Sequence, residues 1–379
     1  MYEDVLKKII PYGKQHITEN DIRIVTRTLR SDWITQGPLV EDFEKRLAKF
    51  CGAKYAVAVS SGTAALHITV LAGGLKKGDE AITSPITFLA TSNSIVYAGA
   101  KPVFADIEYG PVNIDPQEIK KKINKKTKAI LPVHFAGLPC KMPEIYKIAK
   151  KKGLLIIEDA CHSLGAEYKF NGKWIKAGSC RHSDMTVFSF HPVKHITTGE
   201  GGAVTTNSKK LYEKLKALRS HGIYKTPGMK KEQGPWYYEM RDLGFNYRIT
   251  DFQCALGLGQ LDKLRDFLRK RRRIARMYDK AFKGVPGLET PPVEIDKKNA
   301  YHLYPLKIDF RSAGISRKTF FDKLAKDGIF PQVHYRPIFD QPYYKKKYKA
   351  NRKNFKNSNK YYERALSISI YPGMTDKDV

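Results

Sequence analysis

No apolar run in this 379-residue chain approaches the roughly 18 residues that a membrane-crossing helix requires, so a helical membrane protein is not expected. The start, Met1-Tyr2-Glu3-Asp4, lacks the basic-then-apolar order of a secretory leader, which points to a soluble, cytoplasmic protein. Cysteine is scarce and scattered. Cys51, Cys140, Cys161, Cys180 and Cys254 form no C-x-x-C pair, so neither a zinc site nor a disulfide framework is indicated. Internal repeats and low-complexity tracts are also lacking, which argues against a solenoid. Acidic residues are the last deficit: 38 Asp and Glu stand against 68 Lys and Arg, a formal charge of +30. Such an excess is what a nucleic-acid partner would need. Lys345 to Lys360 carries eight basic residues and no acid, and Lys120 to Lys128 carries six lysines. Both runs also read as solvated helix or loop faces of a lysine-rich chain. A basic regulatory or nucleic-acid-binding protein without catalysis stands as the alternative to an enzyme.

What is present has a clear rhythm. Thr18-Glu19-Asn20-Asp21 resembles a capping arrangement, and Ile22, Val25 and Leu29 at helical spacing predict a helix over about 19–30. After a Gly-Pro loop, Leu39, Phe43, Leu47 and Phe50 share one face of a second helix. Short apolar runs follow at Tyr55 to Val59, Ala81 to Thr83, Pro102 to Ala105, Ala129 to Val133, Leu154 to Ile157 and Met185 to Phe190. Helical stretches separate most of them, which indicates a mostly parallel sheet covered on both faces, with ligands at the carboxyl ends of its strands. A long helix is expected from Asp251 to about Ala281. Gly284 to Pro292 reads as a boundary, and strand-like segments at His302 to Phe310 and Ile329 to His334 flank a helix near Arg317 to Lys326. A chain of this length exceeds what one core usually serves, so a large domain over 1–250 and a connecting helix with a small α/β domain over 251–379 are expected. Thr375-Asp376-Lys377-Asp378-Val379 is a helix-start signal with no helix after it, as of a chain that continues.

The chain is organised around Phe188 to Val204. A buried strand ends at His191-Pro192, because proline cannot donate to a ladder, and Lys194 follows. Gly199, Gly201 and Gly202 keep the next turn open, and Ala203 to Thr206 resumes as strand. Held among apolar groups, Lys194 would favour its neutral amine, which can attack a carbonyl and form a Schiff base.

The run from Ser189 to Gly202 resembles the lysine segment of the DegT/DnrJ/EryC1/StrS sugar aminotransferases, which use pyridoxal phosphate. Four more blocks are similar to that family in the same order: Ser60 to Leu66, Ser84 to Thr91, Glu158 to Gly165, and Leu243 to Asp251. The resemblance implies an α/β chain with the type I, aspartate-aminotransferase-like fold of the pyridoxal-phosphate transferases. It further implies L-glutamate as amino donor and a homodimer whose active sites are shared across the interface.

Each cofactor need has a candidate. Lys194 is the Schiff-base residue and proton carrier. Asp159, at the end of its strand, would keep the pyridine nitrogen protonated. Ser61-Gly62-Thr63 opens a helix whose free amides suit a phosphate, and the resemblance adds Ser189 to that cradle. It also implies Phe88 as the stacking aromatic, His162 beside the ring hydroxyl, and Asn246 reaching the neighbouring subunit's phosphate. For substrate it points to Tyr12, to the loop Asp32-Trp33-Ile34-Thr35, to Gly62, Ser189 and Asn246, and to Val333-His334-Tyr335-Arg336. A guanidinium such as Arg336 or Arg248 would suit a diphosphate, and Tyr12 a uracil or sugar face. Phe188 to Lys194 followed by Ile196-Thr197-Thr198, with Val333 to Ile338, looks most like the branch that aminates a UDP-linked 2-acetamido-2,6-dideoxy-hexos-4-ulose toward pseudaminic acid. Enzymes for UDP-4-keto-arabinose, a bacillosamine precursor or a dTDP-sugar share nearly all of the cofactor residues.

Overall fold

Seven short apolar segments pair into one sheet, because each is too hydrophobic to leave either face in water. In chain order they are β1 (Tyr55–Val59), β2 (Glu80–Thr83), β3 (Lys101–Phe104), β4 (Thr127–Leu131), β5 (Leu155–Asp159), β6 (Met185–Ser189) and β7 (Gly202–Thr206). Across the sheet the order is β1-β7-β6-β5-β4-β2-β3, and β7 alone runs antiparallel to its neighbours. The computed structural model describes residues 9–225 and 227–379; the acidic start at 1–4 lies outside them.

Helices cover both faces. On one, α1 (Glu19–Leu29) and α2 (Pro38–Cys51) pack with the long α5 (Asp251–Ala281), and Phe43, Leu47, Phe188, Phe190, Leu258 and Leu264 form the core. Each such side chain contributes roughly 1.5–3 kcal/mol by leaving water. On the other face, α3 (Gly62–Ala72) and α4 (Leu89–Tyr97) lie beside Val57, Ile157 and Val187. Capping explains where these helices begin. Thr18 N–H donates to Asp21 Oδ2 at 2.8 Å at the head of α1, and Thr250 N–H donates to Gln253 Oε1 at 3.0 Å at the head of α5. The Asp251 carboxylate accepts from Gly37 N (2.7 Å) and Leu39 N (3.0 Å), so the starts of α2 and α5 are tied together.

The last turns of α5 leave the sheet. Ile274, Ala275 and Tyr278 enter a second core with Tyr304, Leu306, Leu366 and Ile370, built on a three-stranded antiparallel sheet. Its strands are Leu288–Glu289, Tyr304–Ile308 and Ala365–Ile368, and the expected helix at Arg317–Lys326 packs beside them. The strand expected over 329–334 is shorter than its apolar pattern suggested. The ladder is confined to Ile329–Phe330, in parallel with Ile10–Pro11, because Pro331 has no N–H to continue it; beyond it Gln332 makes one isolated antiparallel bridge to Ser367. Residues 332–335 depart from the strand and turn toward the large sheet. The two lysine runs adjoin at the surface, where Lys122 Nζ sits 5.9 Å from the Phe355 ring centroid.

Candidate active site

A cavity of about 600 Å³ opens at the carboxyl ends of the strands, roofed by the segment from Gln332 to Tyr335. Lys194 enters it from the turn after β6. Its backbone N–H donates to His191 O at 2.9 Å, closing that turn, and its Nζ lies 3.3 Å from His302 Nε2. Burial lowers the Lys194 amine below the ordinary lysine range. The nearby Cys161 and Asp159 oppose that shift, and Arg271 adds to it.

Asp159 occupies the last position of β5 and is 5% exposed. Its backbone is fixed on both sides: Asp159 N–H donates to Pro132 O (2.9 Å), and Asp159 O accepts from His134 N (3.1 Å). Its carboxylate accepts from Thr91 Oγ1 at 2.6 Å and from Cys161 N at 3.1 Å. Among the described residues no cation pairs with it. A buried carboxylate held in this way is costly unless a positive group arrives to meet it.

The opposite requirement lies at the head of α3. Ser61 Oγ accepts from Ala64 N at 3.0 Å, while the first amides of a helix have no acceptor of their own and attract anions. Two glycines bring this helix start against β6 and β7. A Cβ on Gly62 would stand 2.8 Å from Ser189 Cβ, and one on Gly202 would stand 2.5 Å from Ser61 O. Ser189 therefore joins Gly62 and Thr63 on one wall.

Phe88 precedes α4 and is 56% exposed, which is unusual for a large aromatic and follows from its place on the cavity wall. His162 Nε2 lies 3.2 Å from Tyr335 Oη, whereas the buried His162 Nδ1 has no partner among the described residues. Burial, and then the charge of Lys194, push this imidazole well below the usual histidine range. Tyr12 packs 5.1 Å from His334, ring to ring. His334 is pinned by Ser367 Oγ (2.9 Å to Nδ1) and by Tyr361 Oη, which donates to its carbonyl at 2.6 Å.

Of the residues singled out in the sequence, the cavity gathers Tyr12, Gly62, Thr63, Phe88, Asp159, His162, Ser189, Lys194, Val333, His334 and Tyr335. Asp32, Trp33, Ile34, Thr35, Asn246 and Arg336 do not line it. Trp33 and Ile34 are exposed, Ile34 O accepts from Asp251 N, and Thr35 bridges Thr250. Asn246 bridges Ser220. Arg336 faces outward, its Nη2 donating to Asp340 O at 2.8 Å. Arg248 lies on a separate depression beside Arg219 and Lys216. Sequence reasoning gave no role to Thr91, Cys161, His302 or Gln332, all of which reach the cavity. Thr91 could have been found, since it stands one helical turn past Thr87 in a block already noted. His302 carries no local signal.

A carboxylate without a counter-ion calls for a cationic ring, and an anion cradle in the same cavity calls for a phosphate. A ligand that meets both and also offers Lys194 a carbonyl carbon is pyridoxal phosphate, and the enzyme class is the one that uses it. The profile of the DegT/DnrJ/EryC1/StrS aminotransferase family matches residues 15–379. The spore coat polysaccharide biosynthesis protein SpsC of Bacillus subtilis is 42% identical, with 98% of this chain and 94% of that protein aligned. The UDP-4-amino-4,6-dideoxy-N-acetyl-beta-L-altrosamine transaminase of Campylobacter jejuni is 40% identical over 98% of this chain and 94% of its own length. The solved PLP form of Spr1654 from Streptococcus pneumoniae superposes with a TM-score of 0.88 at 29% identity, covering 98% of this chain and 95% of that one. This chain belongs to the DegT/DnrJ/EryC1/StrS aminotransferase family. It is a pyridoxal-phosphate-dependent aminotransferase of nucleotide-linked sugars.

Proposed function

We propose that the chain transfers an amino group from L-glutamate to the 4-keto carbon of a UDP-linked 2-acetamido-2,6-dideoxy-hexos-4-ulose, as a cytoplasmic homodimer. The observation that carries this reading is the join between the two halves of the cavity: Lys194 and Asp159 on one side, Tyr12 and Gln332 to Tyr335 on the other. That second side offers aromatic and polar surface beyond what the cofactor needs. The relative named as an altrosamine transaminase supports the choice of sugar.

When bound, pyridoxal phosphate supplies a carbonyl carbon for amines and a ring that takes up the electrons left when an adjacent C–H bond breaks. Gly62, Thr63 and Ser189 would hold its phosphate, Phe88 would cover its ring, and Asp159 would keep a proton on its nitrogen. Thr91 and the Cys161 N–H keep the Asp159 carboxylate aimed. Lys194, lowered by burial, is available as a neutral amine that takes a proton from one carbon and returns it to another. His162 and Tyr335 would meet the remaining polar edge.

Two measurements test the reading. With glutamate as donor, kcat/KM is compared for the L-arabino and D-xylo 4-keto UDP-sugars and a dTDP-linked 4-keto sugar. The L-arabino UDP-sugar should lead, by up to about 10⁴-fold if the pocket hydrogen-bonds a group the others lack. A lead for the dTDP sugar would overturn the nucleotide, and a lead for D-xylo would move the enzyme to the bacillosamine-like reaction. For the shared site, Lys194→Ala and Asn246→Ala subunits are mixed and exchanged. Hybrid dimers should regain activity, because one of their two sites holds both native residues. No recovery from two impaired parents would sink the assignment of Asn246 to the neighbouring cavity.

A further inference from the structure

The reaction uses Lys194, yet the side chain in hydrogen-bond contact with its amine has been given no part in it. His302 Nε2 stands 3.3 Å from Lys194 Nζ. The imidazole is 4% exposed, and among the described residues its buried Nδ1 has no partner. Its ring lies 4.4 Å from that of His162 and 5.7 Å from that of His195.

The segment that presents His302 is clamped with unusual effort. Arg271, on α5, is fully buried. Its Nη1 donates to three backbone carbonyls, Tyr301 O (3.1 Å), His302 O (3.3 Å) and Ile370 O (2.7 Å), and no carboxylate is among its partners. Arg272 Nε donates to Asn299 O at 2.9 Å, and Ala300 N donates to Gly137 O at 3.0 Å. A Cβ on Gly137 would stand 2.7 Å from Tyr301 N, so that glycine lets the segment close against the large sheet. Burying a guanidinium on carbonyls alone is costly where an apolar residue would not be. What the arrangement secures is the position of His302, with the Arg271 guanidinium behind the Lys194 amine.

We propose that His302 is a further catalytic residue, which exchanges a proton with the Lys194 amine, and that Arg271 is the positioning residue that holds it there. This rests on the aminotransferase reading. In the step, an N–H bond of the Lys194 ammonium breaks and an N–H bond at His302 Nε2 forms. The proton returns along the same path before the next turnover, so nothing is consumed. The exchange leaves Lys194 neutral each time it must attack a carbon or accept a proton from one, without admitting water. Asp159, Cys161, His162, His195, His334 and Arg271 also face this pair electrostatically. Burial draws the amine and the imidazole toward their neutral forms, and a single proton shared between them is favoured over two.

The test uses the full-length enzyme loaded with pyridoxamine phosphate, in which Lys194 is free. Trace acetic anhydride is applied across a pH series, and acetylation of Lys194 is compared by mass spectrometry with that of surface lysines such as Lys345. In His302→Leu the Lys194 midpoint should fall by about one unit, a tenfold change, because the ammonium loses its acceptor. His302→Gln keeps an acceptor and should keep the midpoint. In the glutamate half-reaction both variants should slow by about 10²-fold in kcat with KM unchanged, since neither side chain takes up a proton. An unmoved midpoint in His302→Leu would remove the contact, and a wild-type rate in His302→Gln would remove the proton exchange. If wild-type enzyme fails to transaminate any keto sugar, the proposed function falls, while the labelling still decides whether the lysine–histidine pair exists.

Discussion

Lys194→Ala should abolish the covalent capture of pyridoxal phosphate. After borohydride reduction, the wild-type chain should gain the mass of the cofactor on the peptide containing Lys194, and the variant should gain none. Activity with glutamate should drop by at least about 10³-fold, because one substitution removes both the attacking amine and the proton carrier. The fold should survive. Lys194 lies in a turn closed by its backbone bond to His191 O, and its side chain is in contact with the cavity rather than with either hydrophobic core. Labelling of another lysine, with Lys194 unmodified, would overturn the role given to it.

Asp159→Asn should give the complementary outcome. The amide is nearly isosteric and can still accept from Thr91 Oγ1, so folding and phosphate binding should persist. Borohydride should still fix the cofactor to Lys194. What disappears is the negative charge behind the ring nitrogen, at a residue that is only 5% exposed. Loss of one preorganised electrostatic group of this kind slows the chemical step by on the order of 10²–10³-fold. Single-turnover mixing with glutamate measures that step directly. A rate within threefold of wild type would show that the carboxylate serves only to anchor β5.

These two outcomes depend on residues that were legible before any coordinates, and the reason is local. A lysine just past Pro192 and an acid at the end of an apolar run are both set by where a strand stops, and strand ends are visible as proline and as a change in hydrophobic pattern. The seven strands and α5 were legible on the same grounds. Thr91 lay in a block already noted, but its meaning comes from contact with Asp159 across separate elements, and Cys161 acts through its backbone N–H two residues on, which its side chain does not signal. His302 is further removed still: it meets Lys194 only through a bend held by Arg271, a residue that reads in sequence as one more base in a basic helix. The reverse error came at residues 329–334. There an apolar pattern suggested one strand, and the missing N–H of Pro331 ended it after two residues. The loop at 32–35, Asn246 and Arg336 came from resemblance alone, and within a single chain they stand away from the cavity.

The pairing of Ile10–Pro11 with Ile329–Phe330 bears on how the enzyme is made. The ribosome releases the first of these segments long before the second, and at about 5–20 residues per second the interval is on the order of tens of seconds. During that time the seven-stranded sheet can assemble with Lys194 and Asp159 in place, but Tyr12 lacks its ring partner His334 and the roof of the cavity does not yet exist. Only when Gln332 to Tyr335 emerge, and Ile370 N–H reaches Tyr12 O, can the beginning of the polypeptide settle beside its end. The side of the cavity opposite Lys194 and Asp159 is therefore completed last, and a nascent chain halted before residue 329 would lack the segment that roofs Lys194.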